Sequence, residues 1–218
     1  INPKPCIKFM ACLATHFFRH VFSFVPETEI GRLANSQKKK FNLKKQAECA
    51  VLAAILCIAA PMAIQIGPVP ISLATFVIML AGVILPPVQA AAAVLIYILL
   101  GCFGLPVFSG ARGGVQILFS STGGYIMSYV FYALVISLVC RKRCNSEMKN
   151  VLIAVLGCVL GTVVCYLFGT AWFVKLSGSD VAYAMGVCVL PFLPLDAVKI
   201  VLASVAGTAV RTRLEKLN

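Results

Sequence analysis

An acidic and a basic side chain stand close together inside the last long apolar run of the chain. Asp196 and Lys199 are three residues apart, so they share one face if this run is a helix. An ionisable group inside a membrane costs about 2.5–3.5 kcal/mol, so such groups usually face a cavity or a partner. Two interpretations are open: an ion pair satisfied near an outer interface, or a polar clamp for a substrate with both donors and acceptors.

Two further segments carry groups suited to binding a small molecule. Four glycines lie within residues 104–114, where backbone amides can approach a ligand closely, and Arg112 lies among them. Arg112 can pair with a carboxylate, or it can be an exposed loop arginine. Tyr125 follows Gly123 and Gly124 at the start of another apolar run. The two glycines favour a close helix contact, and the tyrosine suits a membrane interface.

No set of residues in the sequence predicts catalysis or a resident metal. The chain contains no Gly-x-x-x-x-Gly-Lys-Ser/Thr phosphate loop, no Gly-x-Ser-x-Gly and no His-Glu-x-x-His. His16 and His20 lack the glutamate of that last motif and a second pair of ligands. The ten cysteines form no Cys-x-x-Cys motif, and most lie in apolar runs, so we expect free structural thiols. We therefore predict no catalytic residue, no metal and no cofactor.

The composition indicates a membrane protein. Of the 218 residues, 61% are hydrophobic and 12% are charged, whereas a soluble domain is about half apolar and about a quarter charged. The net charge of +12 is concentrated in bands between the apolar runs. Such bands are typical of the positive-inside rule and not of a nucleic-acid-binding face, so we expect lipid and not nucleic acid as a partner.

The apolar runs predict an all-α integral membrane protein built as a bundle of six transmembrane helices. A weaker apolar stretch, Val181–Leu190, precedes the last span. From Lys38 onward, twelve Lys and Arg then fall on the inner side, only Arg112 and Lys175 fall outside, and Lys199 lies within a span. We expect a multi-pass protein of the cell membrane with both termini cytoplasmic. The six spans are about Cys49–Ile66, Ile71–Leu85, Val88–Phe103, Gly123–Cys140, Val151–Trp172 and Leu195–Val210.

The same pattern divides the chain into three parts. Residues 1–47 form a basic N-terminal extension and juxtamembrane segment, residues 48–212 form the membrane domain, and residues 213–218 form a short basic cytoplasmic tail. In the first span, Ala50 and Ala54 form a small-x-x-x-small face, which lets two helices approach closely. That face suits internal packing or a partner subunit, and its position alone does not decide between them.

Five short motifs, in order within residues 48–212, together resemble the biotin-specific substrate-binding component (BioY type) of energy-coupling factor (ECF) transporters. Each motif is weak alone, but their order and spacing within a frame of six spans make the resemblance strong. The motifs are Gly67-Pro68-Val69-Pro70-Ile71-Ser72, Gly104-Leu105-Pro106-Val107-Phe108-Ser109-Gly110, Thr122-Gly123-Gly124-Tyr125, Gly169-Thr170-Ala171-Trp172 and Pro191-Phe192-Leu193-Pro194-Leu195-Asp196-Ala197-Val198-Lys199.

The resemblance implies a six-helix substrate-binding (S) component whose vitamin pocket opens outward. It implies that Asp196 and Lys199 lie at this pocket and that the loop around Arg112 helps to close it. It also implies that Ala50 and Ala54 dock a transmembrane coupling (T) subunit. Energy would then come from two separate cytoplasmic ATPases, in keeping with the missing phosphate loop.

These implications predict capture of biotin for uptake. Charge matching assigns Asp196 and Lys199 to the ureido group of biotin and Arg112 to its carboxylate. Tyr125 and Trp172 are then expected to form apolar walls with polar tips. The roles can be exchanged between the two ends of the vitamin. Three alternatives stay open: the same transporter class with another small vitamin or acid, a membrane enzyme that uses the Asp–Lys pair, and a scaffold without a ligand.

Overall fold

The fold is described from a computed structural model that covers residues 43–64, 71–142, 144 and 146–216. The chain divides into two units, Ile1–Leu43 and Lys44–Asn218, and the second contains nearly all the described residues. The predicted N-terminal extension therefore lies mostly outside them, as do both histidines and the end of the first predicted span.

The described part of the chain is mostly helical, as the composition predicts. It contains seven α-helices, a 3-10 helix at Val115–Phe119 and two short strands, β1 (Ala63–Ile64) and β2 (Ile71–Ser72), which pair antiparallel. The α-helices are α1 (Leu43–Ala59), α2 (Ala74–Ile84), α3 (Pro87–Cys102), α4 (Gly123–Cys140), α5 (Glu147–Ser177), α6 (Val181–Cys188) and α7 (Leu193–Lys216).

The longest predicted spans agree best with the observed helices. The fourth predicted span coincides with α4 at both ends. The fifth and sixth lie inside α5 and α7, which extend past them on both sides. The extension of α7 carries residues 213–216, assigned to the tail by the sequence, into the last helix.

The first predicted span, Cys49–Ile66, has the wrong bounds. Helix α1 begins at Leu43 and ends at Ala59. Pro61 follows after one more residue, Ala60, and a proline disfavours the helical conformation in the residue before it. The apolar residues after Pro61 form β1 instead. Because their hydropathy is as high as that of the helix, the predicted span continued past the end of α1.

Three described helices are long and apolar enough to cross a membrane: α4, α5 and α7. At 1.5 Å per residue they are about 27, 46 and 36 Å long, against a hydrocarbon core of about 30 Å. Helices α2 and α3 are apolar but have only 11 and 16 residues. Length and composition therefore identify three candidate spans among the described residues, fewer than the six predicted.

Large apolar side chains cover the outward surfaces of α5 and α7. A continuous surface of this kind marks a membrane or a protein interface, because water would solvate it poorly. It supports the assignment of the chain as a membrane protein. The exposed residues are Leu152, Leu156, Val159, Leu160 and Val163 on α5, and Val198, Val201, Leu202, Val205 and Val210 on α7.

Glycines allow α4 and α5 to pack closely. A Cβ added at Gly169 would collide with the ring of Tyr125, and one added at Gly124 would collide with Trp172. Each glycine therefore leaves room for an aromatic side chain of the facing helix. The small residues at the start of α4 serve helix packing, as their sequence pattern indicates.

Arg211 joins three helices at one end of the bundle. Its guanidinium donates to the carbonyl oxygens of Val83 at 3.2 Å and Cys140 at 2.8 Å, and it forms an ion pair with Glu215 at 3.1 Å. Those carbonyls lie at the C-terminal ends of α2 and α4, where the helix dipole favours a cation. The C-terminal ends of α2, α4 and α7 therefore meet at one basic end, and their first turns lie at the opposite end.

Candidate functional site

Asp196 and Lys199 form an ion pair in the first turns of α7. The helix begins with Leu193 and Pro194, and proline is tolerated in a first turn because the backbone N–H groups there lack partners within the helix. Nζ of Lys199 lies 3.1 Å from Oδ1 of Asp196, and the two side chains are 12% and 7% exposed. The helix thus places both charges on one face, as the spacing predicts.

Two other helices hold this ion pair. Nζ of Lys199 also donates to the carbonyl oxygen of Ser72 at 3.0 Å and to Oγ1 of Thr75 at 3.1 Å, so all three of its hydrogens have acceptors. Oδ2 of Asp196 accepts a hydrogen bond of 2.6 Å from the hydroxyl of Tyr166. The pair therefore connects α7 to the start of α2 and to the middle of α5. The carboxylate oxygens keep acceptor capacity for a ligand.

The ion pair lies in the wall of a cavity at the end of the bundle opposite Arg211. Counted together with its open mouth, the cavity contains about 690 Å³ of empty space. Its wall combines aromatic and aliphatic side chains with several hydroxyls and three charged side chains. The lining residues are Ser72, Thr75, Phe108, Ser109, Arg112, Ile117, Thr122, Tyr125, Ile126, Tyr129, Tyr132, Thr162, Cys165, Tyr166, Cys188, Phe192, Asp196 and Lys199.

Helices α4 and α5 each present a row of polar groups to the cavity. Of these groups, sequence reasoning selected only the first tyrosine of α4. The signal was nevertheless present, since polar residues at helical spacing inside an apolar run must share a face. The rows are Tyr125, Tyr129 and Tyr132 on α4, at positions i, i+4 and i+7, and Thr162, Cys165 and Tyr166 on α5.

The loop between α3 and α4 supplies Arg112 to the cavity. Phe108 anchors this loop: it is 1% exposed, and its ring contacts Tyr97 edge-on with centroids 5.6 Å apart. The backbones of Phe108 and Arg112 exchange hydrogen bonds of 2.9 and 3.3 Å around a turn in which Ala111 has a φ of 56°. Nε of Arg112 donates to the carbonyl oxygen of Ser109 at 3.2 Å, and the side chain is exposed.

The structure does not place Trp172 among the residues that line the cavity. Its side chain packs on Gly124, and its indole Nε1 donates to the carbonyl oxygen of Ser120 at 3.0 Å. The sequence predicts Trp172 as a wall of the site, whereas in the structure its side chain packs between α5 and the start of α4. Trp172 lies about one turn of α5 beyond Gly169, where it fixes the entry into α4.

The predicted docking face of α1 points away from the bundle. Ala50 and Ala54 are exposed, while Ala53 and Leu56 on the other side of the helix are buried. Cys49 anchors this buried side through a hydrogen bond of 3.3 Å from Sγ to the carbonyl oxygen of Gln89 in α3. The two alanines are therefore accessible to lipid or to another protein and do not serve packing within the described bundle.

The thiols within the described residues are free and are mostly buried. Cys165 and Cys188 reach the cavity wall, and Ser128 donates to Cys165 Sγ at 3.2 Å. Across the described residues, no group of three or more His, Cys, Asp or Glu side chains is arranged to hold a metal ion.

Comparison with known proteins gives the family. The model of the BioY family matches residues 35–216. The chain belongs to the BioY family. It is 30% identical over 176 residues to the biotin transporter BioY of Thermotoga maritima, covering 81% of this chain and 98% of that protein. It is 34% identical over 150 residues to a probable biotin transporter BioY of Pyrococcus horikoshii, covering 69% and 85%.

The fold of this BioY-family chain also matches a solved structure. The crystal structure of the S-component for biotin from an ECF-type ABC transporter superposes with a TM-score of 0.69 and 25% sequence identity. The match covers 79% of this chain and 95% of that one. The resemblance drawn from the five motifs is therefore confirmed at the level of family and fold.

Proposed function

We propose that this chain captures biotin for uptake, as the membrane S subunit of an ECF-type transporter energised by separate ATPases. The observation that carries the proposal is the cavity, in which a buried Asp196–Lys199 pair lies in a largely aromatic and aliphatic wall. Biotin combines a ureido ring, an apolar chain and a carboxylate, and such a wall suits it. The names of the BioY relatives point to the same vitamin. The chain is a transport protein and not an enzyme.

In the membrane, we assign six crossing helices: α1 to α5 and α7. The short helix α6 belongs to the cavity end, since Cys188 lines the cavity. Arg211 and Lys142 mark the opposite end, which the positive-inside rule places in the cytoplasm. The cavity then faces outward, where an imported solute arrives. Both termini are cytoplasmic in this arrangement.

Within the site, Asp196 accepts hydrogen bonds from the ureido N–H groups, and Lys199 holds that carboxylate in place. Arg112 pairs with the carboxylate of biotin near the mouth, because its exposed guanidinium is the cation that the outer loop brings to the cavity. Tyr125 lines the apolar path between the two ends. Trp172 acts indirectly, through its packing on Gly124.

Binding of labelled biotin by the purified protein in nanodiscs tests this function. We expect saturable binding by the wild type, a loss of at least tenfold in Asp196→Asn, and a smaller loss in Arg112→Ala. Two matched controls should bind like the wild type: Asp180→Asn, which removes a carboxylate that caps α6, and Lys175→Ala, which removes an exposed cation of α5. A folded wild type without saturable biotin binding would exclude the proposal. Stronger competition by an unrelated vitamin than by desthiobiotin would redirect it to another substrate.

The exposed alanines of α1 suit docking of a T subunit that works with two cytoplasmic ATPases. A bulky side chain at Ala50 or Ala54 would prevent close helix approach. We therefore expect Ala54→Trp to abolish biotin uptake by cells that carry the coupling module, while biotin binding by the purified protein is unchanged. Val205→Trp, on the exposed face of α7, is the matched control and should leave uptake intact. Equal uptake by both variants would place the docking surface elsewhere.

A further inference from the structure

One tyrosine of the cavity differs from the other three in its hydrogen bonding. The hydroxyl of Tyr125 pairs with Thr170 at 3.2 Å, and that of Tyr132 pairs with Thr162 at 3.0 Å. The third, Tyr166, donates to Asp196. Tyr129 lines the same cavity and is 8% exposed. Within the described part of the chain, its hydroxyl has no hydrogen-bond partner.

The position of Tyr129 on α4 places its side chain at the cavity. It lies between Tyr125 and Tyr132 on the same helix face, and all three line the cavity. A tyrosine hydroxyl in a buried place normally finds a partner, because an unpaired one costs free energy. A group that the protein leaves unpaired at a ligand cavity is available to the ligand.

The ureido group of biotin can use such a hydroxyl. It presents two N–H donors and one carbonyl oxygen, so its complement must contain an acceptor and a donor. Asp196 supplies the acceptor. The ammonium of Lys199 already donates its three hydrogens to Ser72, Thr75 and Asp196. Among the tyrosines of the cavity, Tyr129 is the one whose hydroxyl has no hydrogen-bond partner within the described residues.

We propose that the hydroxyl of Tyr129 donates a hydrogen bond to the ureido oxygen of biotin and thereby contributes to substrate specificity. The inference rests on biotin being the substrate. A single neutral hydrogen bond in a desolvated site is worth about tenfold in affinity. The site then prefers ligands with a strong acceptor at this position, because an analogue without one leaves the hydroxyl unpaired again.

A cycle of two proteins and two ligands tests the contact. The ligands are biotin and 2-thiobiotin, in which sulfur, a weak acceptor, replaces the ureido oxygen. We expect Tyr129→Phe to bind biotin about tenfold more weakly than the wild type, and to bind 2-thiobiotin with nearly unchanged affinity. The ligand-free variant should unfold at the wild-type temperature, because the change removes no hydrogen bond of the free protein. The matched control is Tyr132→Phe, because the hydroxyl of Tyr132 already bonds Thr162. The affinities of this variant for the two ligands should change by equal factors.

The outcomes separate this inference from the proposed function. A wild type that binds no biotin contradicts the function itself. A wild type that binds biotin while Tyr129→Phe binds it equally well overturns only the Tyr129 contact. An equal loss for both ligands in Tyr129→Phe also overturns it, since the hydroxyl would then not act on the ureido oxygen. If the wild type binds biotin and 2-thiobiotin equally, no donor of the protein contacts that oxygen.

Discussion

Replacement of Lys199 by methionine removes the cation that links α7 to the start of α2 at the cavity. Its ammonium bonds Ser72 and Thr75 near the start of α2 and Asp196 on α7, at 3.0, 3.1 and 3.1 Å. Methionine has a similar length and no charge, so it keeps much of the packing and none of these bonds. Asp196 is then left with a buried charge and, within the described residues, with Tyr166 as its remaining side-chain partner.

The expected loss of stability follows from that orphaned charge. Removing one partner of a buried ion pair typically costs about 3–5 kcal/mol in the free energy of unfolding. Asp196→Asn should cost less, about 1–2 kcal/mol, because the amide oxygen still accepts from Lys199. The double variant Asp196→Asn with Lys199→Met should lose less than the sum of the two single changes, since it leaves no unpaired charge.

Thermal unfolding of the ligand-free protein in detergent measures these effects. A loss of 3–5 kcal/mol corresponds to a fall in Tm of about 6–20 °C for a chain of this size. Lys175→Met, an exposed lysine on α5, is the matched control and should change Tm by no more than a degree or two. If Lys199→Met unfolds at the wild-type temperature, the pair does not hold α7 to α2, and the ion-pair interpretation of this site is refuted.

Four further changes test other parts of the fold. Arg211→Met should cost about 1–3 kcal/mol of unfolding free energy, because it removes the donor to the carbonyl groups at the ends of α2 and α4. Biotin affinity should be unchanged. Calorimetry of unfolding measures the first effect, and calorimetry of binding measures the second. Gly169→Val should lower both Tm and biotin binding, since its side chain collides with Tyr125, whereas Gly186→Ala in α6 meets nothing within 4 Å and should raise stability by up to about 1 kcal/mol. Trp172→Phe should weaken stability more than binding, because the indole bonds the loop before α4 and does not line the cavity.

The long helices could be predicted from the sequence because lipid-facing and buried residues are both apolar over their full length. Both ends of α4 were predicted correctly, since Gly123 begins it and the basic residues after Cys140 follow its end. The end of α1 was predicted wrongly, because hydropathy does not fall where this helix ends. The residues after Pro61 are as apolar as the helix before them, yet they pair as β1 with β2.

The charged members of the cavity were also accessible to sequence reasoning, since a charge in an apolar run needs a partner. The spacing of Asp196 and Lys199 placed both on one face of α7, where the structure has them. The contacts of Lys199 with Ser72 and Thr75 join residues more than 120 positions apart, so no local pattern indicates them. The place of Trp172 depends on how α5 is rotated against α4, which tertiary packing decides.

The hydrogen bonding of the cavity explains how one small site can be both stable and selective. Most of its polar groups are already held by the protein, so binding a ligand requires little new ordering of side chains, which favours affinity. Asp196 has acceptor capacity left after its bonds to Lys199 and Tyr166, and Tyr129 has an unspent donor. A ligand with N–H groups beside a carbonyl can bond both, whereas a purely apolar ligand bonds neither. The hydrogen-bonding capacity that Asp196 and Tyr129 retain in the free protein therefore determines what the cavity accepts.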